Sequence, residues 1–379
     1  MAQQLYFSRD TKVYVAPLAA DGVTEQGVWE IPVLDGFSFS QATNSSEIVL
    51  SEMESAGVGG RVSRRGRRMF NDSLAPAEWS FSTYVRPFIS AGTGAGAADD
   101  TTNHHAVEEV LWALMSGPAL YSGFAFTDQI LPGLTNSVID FSESNKSTLG
   151  TANIYFVIGN ANKKYYKIAK AVVNEASVDF DIDGIAMINW SGMGSEIIES
   201  SQPTVTVSEA ILDTGNFIRN RLTQVTVAPN LSAEGQSGLE ASYALTLTGG
   251  NITITNNITF ITPEELGTVN IPIGHVTGTR SVSGSMTCYL SLDTTATNNS
   301  SDLWADLKGI TDVITNDFGL TFSIGGAAGT PRMVVAMPQC HVDIPTHSIE
   351  DVISLETSFN ALPSSIDQTN EATITYVGL

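Results

Sequence analysis

The chain has 379 residues, with 18 Lys+Arg against 40 Asp+Glu and a formal net charge of −22. A balance this acidic excludes a general nucleic-acid binder, which needs a basic surface to displace counterions from phosphates. An apolar fraction of 42% with only 15% charged residues excludes a disordered chain, and the length allows two domains with ample cores.

In chain order, Met1–Asp10 has no basic segment followed by an apolar core, so it does not read as a secretion signal. No apolar run approaches a bilayer span, and no membrane partner is expected. Period-two alternation predicts strands at Lys12–Ala16 and, after a turn glycine, at Gly36–Ser40. Glu52–Pro76 shows no periodicity and carries Gly57, Gly59, Gly60 and Gly66, which predicts a long loop of the functional or disordered kind. A strand follows at Trp79–Val85, then a glycine-rich connection at Ser90–Asp100. Val107, Val110, Leu111, Leu114 and Met115 share one helical face that ends at Gly117–Pro118. Val178–Ile182 alternates again, and its Asp179, Asp181 and Asp183 are expected on one wet strand face.

Glu199–Thr204 is polar, contains Pro203, and reads as a linker. Beyond it, strands are expected at Thr223–Pro229, Tyr243–Leu247, Asn251–Thr255, Ser281–Leu290 and Ala372–Val377. A second helix is expected through Leu303, Leu307, Ile310 and Ile314. Ser and Thr fill many alternate strand positions, so the sheets have one wet face and are antiparallel. Two helices among so many strands make a mostly β (α+β) protein. Cys288 and Cys340 both sit in alternating stretches and read as small buried strand residues, with a disulfide between them as the alternative.

An internal duplication is visible. Thr11–Pro17 matches Thr223–Pro229 at five of seven positions. Gly36–Ser40 resembles Gly250–Thr255, Ser80–Val85 lines up with Ser285–Leu290, and Leu111-Trp-Ala113 recurs as Leu303-Trp-Ala305. Ser177–Asp179 parallels His341–Asp343. The matches keep one order, which predicts two tandem modules at about 1–205 and 206–379. The alternative is one large β-rich domain with fortuitous matches.

Candidate chemistry is sparse. His104 and His105 precede the first helix in a predicted loop; His341 and His347 flank Asp343; His275 stands apart. No Cys-x-x-Cys or His-Glu-x-x-His spacing accompanies them, so no metal is expected. Asn189–Gly194 lacks the first glycine of a nucleophile elbow, and Gly92–Ala98 follows no buried parallel strand. Glu108-Glu109 and Glu264-Glu265 read as helix or turn surface. No catalytic residues, no enzyme activity and no cofactor are expected. The one sharp charge feature is Arg61, Arg64, Arg65, Arg67 and Arg68 in the long loop. It is either a solvated loop or an arm that docks on an acidic surface. Arginine forks suit carboxylates, so self-association is favoured over nucleic acid.

Gln4–Tyr14, Thr262–Leu266, Pro272–Gly274 with Thr277–Leu290, and Val178–Asp183 leading to Ile188–Ser191 together resemble bacteriophage tail tube (major tail) proteins. The resemblance implies modules of two packed antiparallel sheets flanked by one helix. It implies six modules to a ring whose inner strands pair around a lumen, with a long loop reaching to the adjacent ring. A duplicated chain would then form rings of three, stacked helically in a virion tail assembled in the host cytoplasm. The implied partners are further copies, a tape-measure protein inside, and terminator and distal tail proteins at the ends. DNA would cross an acidic lumen without specific binding. The segment 52–76 would be the long loop; its counterpart at about 260–279 is shorter and lacks the arginines. The alternative function is a β-sandwich binding or adhesin module.

Overall fold

The computed structural model describes residues 6–34, 36–48, 67–90, 103–117, 121–122, 125–126, 130–131, 137–141, 149–160, 162–204, 217–232, 236, 238–266, 269–291, 298–309, 317–326 and 331–377. In chain order the first half holds β1 (Thr11–Pro17), β2 (Trp29–Ile31), β3 (Ser38–Ser40), β4 (Thr43–Ile48), β5 (Arg68–Leu74), β6 (Ala77–Tyr84), β7 (Pro87–Ser90) and β8 (Asn103–Ala106). Helix α1 (Glu109–Ser116) follows, then β9 (Tyr121–Ser122), β10 (Ala125–Phe126), β11 (Ile130–Leu131), β12 (Ser137–Asp140), β13 (Ala152–Ile158), β14 (Lys164–Asp181), β15 (Met187–Gly194) and β16 (Glu196–Ser200). The second half holds β17 (Gln224–Pro229), β18 (Tyr243–Ala244), β19 (Leu247–Thr255), β20 (Thr259–Ile261), β21 (Gly274–Val276), β22 (Ser281–Tyr289) and α2 (Ser300–Gly309). It closes with β23 (Phe318–Ile324), β24 (Arg332–Val342), β25 (Thr346–Ser348), β26 (Ser354–Ala361) and β27 (Thr373–Val377).

The protein is mostly β, with antiparallel ladders throughout. In the first half, β2–β1–β13–β14–β16 pair side by side. A second run is β3–β6–β15–β14. Strand β14 serves both, its N-terminal part in the first run and its C-terminal part in the second. Between the two, Lys170 takes a left-handed φ of 50°, and a register shift follows between Val173 and Glu175. These are the local devices that turn a strand from one sheet into another. The runs share one core. Val13, Val15, Trp29, Ile31, Ile154 and Phe156 from the first meet Trp79, Phe81, Ile188 and Trp190 from the second. The second set alternates with polar residues, the period-two signal the sequence carries, whereas β1 and β13 are buried on both faces, with Tyr14, Ala16, Tyr155 and Val157 in a separate cluster.

The second half pairs in the same order. One run is β18–β17–β23–β24–β27. The other is β19–β22–β26, which pairs with the end of β24 and with β25. One irregularity recurs in register. The shift between Ala152 and Ile154 in β13 has its counterpart between Phe318 and Leu320 in β23, and Pro17 faces Ala152 as Pro229 faces Phe318. Ala171 faces Ala152 as Cys340 faces Phe318, so β14 positions correspond to β24–β25 positions 169 residues on. That register puts Val173, not Val178, level with Val342, and the likeness of Ser177–Asp179 to His341–Asp343 is out of step with the pairing.

Several expectations change. The predicted loop 52–76 ends in strand β5, which forms a hairpin with β4; its side chains alternate no apolar face because most are exposed, so no periodicity showed. Helix α2 starts at Ser300 and is described to Gly309; Ile310 and Ile314 lie outside the described residues. The His104-His105 pair stands on strand β8, paired with β7, and not in a loop. Glu108 and Glu109, expected at the surface, are 1% and 0% exposed. Both cysteines are buried free thiols, with Cys340 in β24 and Cys288 in β22. Burial pushes them up to about 12 and about 11.

Candidate functional surface

The two halves pair twice: β12 with β27, and β14 with β19 along Glu175–Asp181, each residue opposite one of Gly249–Thr255. The second contact makes β3–β6–β15–β14–β19–β22–β26–β25 one continuous antiparallel sheet. Residues directly opposite share a face, so side chains line up in rows across it. One row is Ser82, Asn189, Ser177, Thr253, Ser283 and Asn360; the next is Asp179, Asn251, Ser285 and Ser358. The rows are bonded laterally. Ser82 Oγ donates to Asn189 Oδ1 at 2.6 Å, Asn189 Nδ2 to Asp179 Oδ2 at 3.0 Å, and Ser285 Oγ to Asn251 Oδ1 at 3.0 Å. The opposite face is apolar and buried, through Phe81, Trp190, Ala176, Ile254 and Val282.

This polar face is acidic. The strand segments that build it, with β14 counted from Val172, contain no Lys or Arg, while Glu78, Glu175, Asp179, Asp181 and Glu356 are on them. Of the three aspartates expected to share a strand face, Asp179 and Asp181 are exposed on β14, and Asp183 falls in the turn after it. Of the five arginines, Arg61, Arg64 and Arg65 lie outside the described residues. Arg67 is exposed and pairs with Glu47 at 3.3 Å, and Arg68 opens β5 opposite Ile48. The structure thus puts the acidic strand residues on one broad surface and the described arginines on the β4–β5 hairpin.

A buried charged cluster holds the halves together behind that face. Tyr376 of β27 donates to Glu108 Oε1 at 2.7 Å and accepts from Trp112 Nε1 of α1 at 2.8 Å. Burial pushes the Glu108 carboxyl up to about 7, against the Tyr376 hydrogen bond and the nearby Arg86 charge. Burial likewise lowers the pKa of Arg86, whose guanidinium lies 5.5 Å over the Phe217 ring. In a second clamp the Arg280 guanidinium lies 3.7 Å from Glu371, donates to the Phe141 carbonyl at 3.0 Å and covers the Phe141 ring at 5.0 Å. Sequence reading missed both clusters. The available signal was Glu108 next to a strongly apolar helix, which charge alone assigns to solvent.

No catalytic arrangement emerges among the described residues, and none of their His, Cys, Asp and Glu side chains form a group able to hold a metal. His341 contacts exposed Asp343 at 3.5 Å, and His347 packs edge-on against Trp304. No described helix is long and apolar enough to cross a membrane.

Comparison with known proteins adds two findings. A family model described as phage tail tube protein matches residues 37–376. The chain is 31% identical over 377 residues to tail tube protein pb6 of Escherichia phage T5, an alignment covering 97% of this chain and 75% of that one.

Proposed function

This chain belongs to the phage tail tube protein family, a structural component of the virion tail, and from that premise we propose that it is two tandem tube modules, 1–205 and 206–379, three copies of which close into a ring. Rings stack into the hollow tube that DNA crosses into the host. The observation that carries the reading is the continuous acidic sheet face. A surface without Lys or Arg repels phosphate, so a genome slides past it without arrest. The repeated pairing order of the two halves supports two equivalent modules per chain.

The segment 52–76 is the arm between rings. Arg61, Arg64, Arg65, Arg67 and Arg68 suit carboxylates of the neighbouring ring, and the chain has 40 Asp+Glu to offer. Other tail proteins, a tape measure inside and terminator and distal proteins at the ends, complete the assembly. The test is assembly of the purified full chain, followed by light scattering and negative-stain microscopy. Hollow tubes of three-chain rings are expected. A chain that stays monomeric at every concentration overturns the proposal. Deleting Arg61–Arg68 should leave rings and abolish stacking; intact tubes from that deletion would remove the arm from the account.

A further inference from the structure

The junction inside the chain predicts the junction between chains. Strand β14 receives β19 with Ser177 opposite Thr253, Val178 opposite Ile252 and Asp179 opposite Asn251. The counterparts of both strands exist again in the other halves. Ser38 faces Ser80 as Asn251 faces Ser285, so β3 is the first-half counterpart of β19. Ser191 faces Ser80 as Ser358 faces Ser285, which aligns β15 with β26. Asn189 then faces Ser177 as Glu356 faces Thr346, so β25 and its flanks, 344–350, are the counterpart of residues 175–181. This agrees with the 169-residue correspondence that the β13 and β23 irregularities set independently.

Neither counterpart has the partner it has in the other half. Among the described residues β3 pairs with β6 alone, and β25 pairs with β26 alone. Thr346, His347 and Ser348 are exposed, and Ile349, the counterpart of 3% exposed Phe180, is 79% exposed. An open strand edge with an exposed aliphatic beside it is a template for another strand.

Resting on the tube reading, we propose that the edge 344–350 of one copy receives β3 of the next, with Thr346 opposite Ser40, His347 opposite Phe39, Ser348 opposite Ser38 and Ile349 opposite Phe37. Ser348 and Ser38 extend the polar rows, while Ile349 and Phe37 meet on the apolar side. Thr346 and Ser40 also fall on the polar side, and His347 is the one polar residue set opposite an aromatic, Phe39. The contact is head to tail, so each copy keeps one donor and one acceptor edge. Such contacts generate rings or filaments, not closed dimers. It also carries the acidic face from copy to copy without a break.

The test places one cysteine on each edge of the full chain, Ser38→Cys with Ser348→Cys. The native Cys288 and Cys340 are buried and do not compete. Under mild oxidation the assembled double variant should give covalent multimers on a non-reducing gel, and either single variant none. A pair shifted by four residues, Ser38→Cys with Ile344→Cys, should not link. Ile349→Asp changes a side chain already exposed in the single copy, so its circular dichroism should match the parent while the concentration needed for assembly rises roughly tenfold or more. Tubes that form without a Ser38–Ser348 link, or that link equally in the shifted pair, overturn the junction and leave the tube reading standing. A parent chain that never assembles overturns both.

Discussion

At the scale of the residue, the most consequential group is Glu108. Its carboxyl is wholly buried, bonded to Tyr376, and raised from an ordinary 4.5 to about 7 mainly by loss of water. A folded-state pKa above the unfolded one means that the fold favours the protonated acid. The stability it contributes is therefore complete below about pH 4.5 and is lost as pH rises through about 7. Glu108→Gln keeps the shape and removes the titration. Between pH 4.5 and 8 the parent should lose on the order of 3 kcal/mol relative to the Gln variant, measured by urea unfolding across that range. Equal slopes for the two proteins would show that Glu108 does not titrate in the fold. The same scale explains why charge misled the sequence reading. Glu108 and Glu109 are ordinary surface residues by type, and the Tyr376 hydroxyl that donates to Glu108 stands far along the chain, in β27.

At the scale of the element, the strands fit because bulk and space are exchanged across them. In the first half Trp79 of β6 faces Gly192 of β15. In the second half the equivalent pair is reversed, with Gly284 of β22 facing Phe359 of β26. A Cβ at Gly192 would sit 2.5 Å from the Trp79 ring and 2.1 Å from the Val172 carbonyl; one at Gly284 would sit 2.6 Å from the Phe359 ring and 2.1 Å from the Asn251 carbonyl. The missing side chain is what lets an aromatic ring lie across the neighbouring strand. Gly192→Ala and Gly284→Ala should each cost about 2 kcal/mol or more in chemical denaturation, since backbone must move to admit the methyl group. Gly274→Ala, with nothing within 4 Å, is the control and should stay within about 0.5 kcal/mol. The long strands were legible from alternation. The β4–β5 and β20–β21 hairpins were not, because a strand whose faces are mostly exposed has no burial pattern to write into the sequence.

At the scale of the molecule, the two halves are united by two ladders, β14 with β19 and β12 with β27, and by two buried charge clusters. The β14–β19 ladder gives the polar rows their continuity, and the clusters tie β27 and Arg280 of the second half to α1 and Phe141 of the first. An acidic face that spans both halves makes a prediction about traffic. Asp179→Lys combined with Glu356→Lys changes exposed positions on that face, so assembly should survive. Tubes of the variant should retain double-stranded DNA in a salt-dependent way, while parent tubes should not, by filter retention at low and high salt. Equal retention would detach the acidic face from the passage of DNA.

Composition and alternation determined by themselves that this is an acidic, mostly antiparallel β protein; the tail tube family was carried only by the resemblance of short motifs. The β content follows from burial, and burial is written locally, residue by residue along each strand. Which strands meet was decided only by the tertiary structure. Pairing of Ser177 with Thr253, or of Tyr376 with Glu108, joins residues far apart in the chain, and no local pattern encodes the partner. The same holds for the offset at which the two halves repeat their pairing. Short Val- and Thr-rich strands resemble one another at several offsets, and only the ladder register, with its shifts at Ala152 and Phe318, selects one.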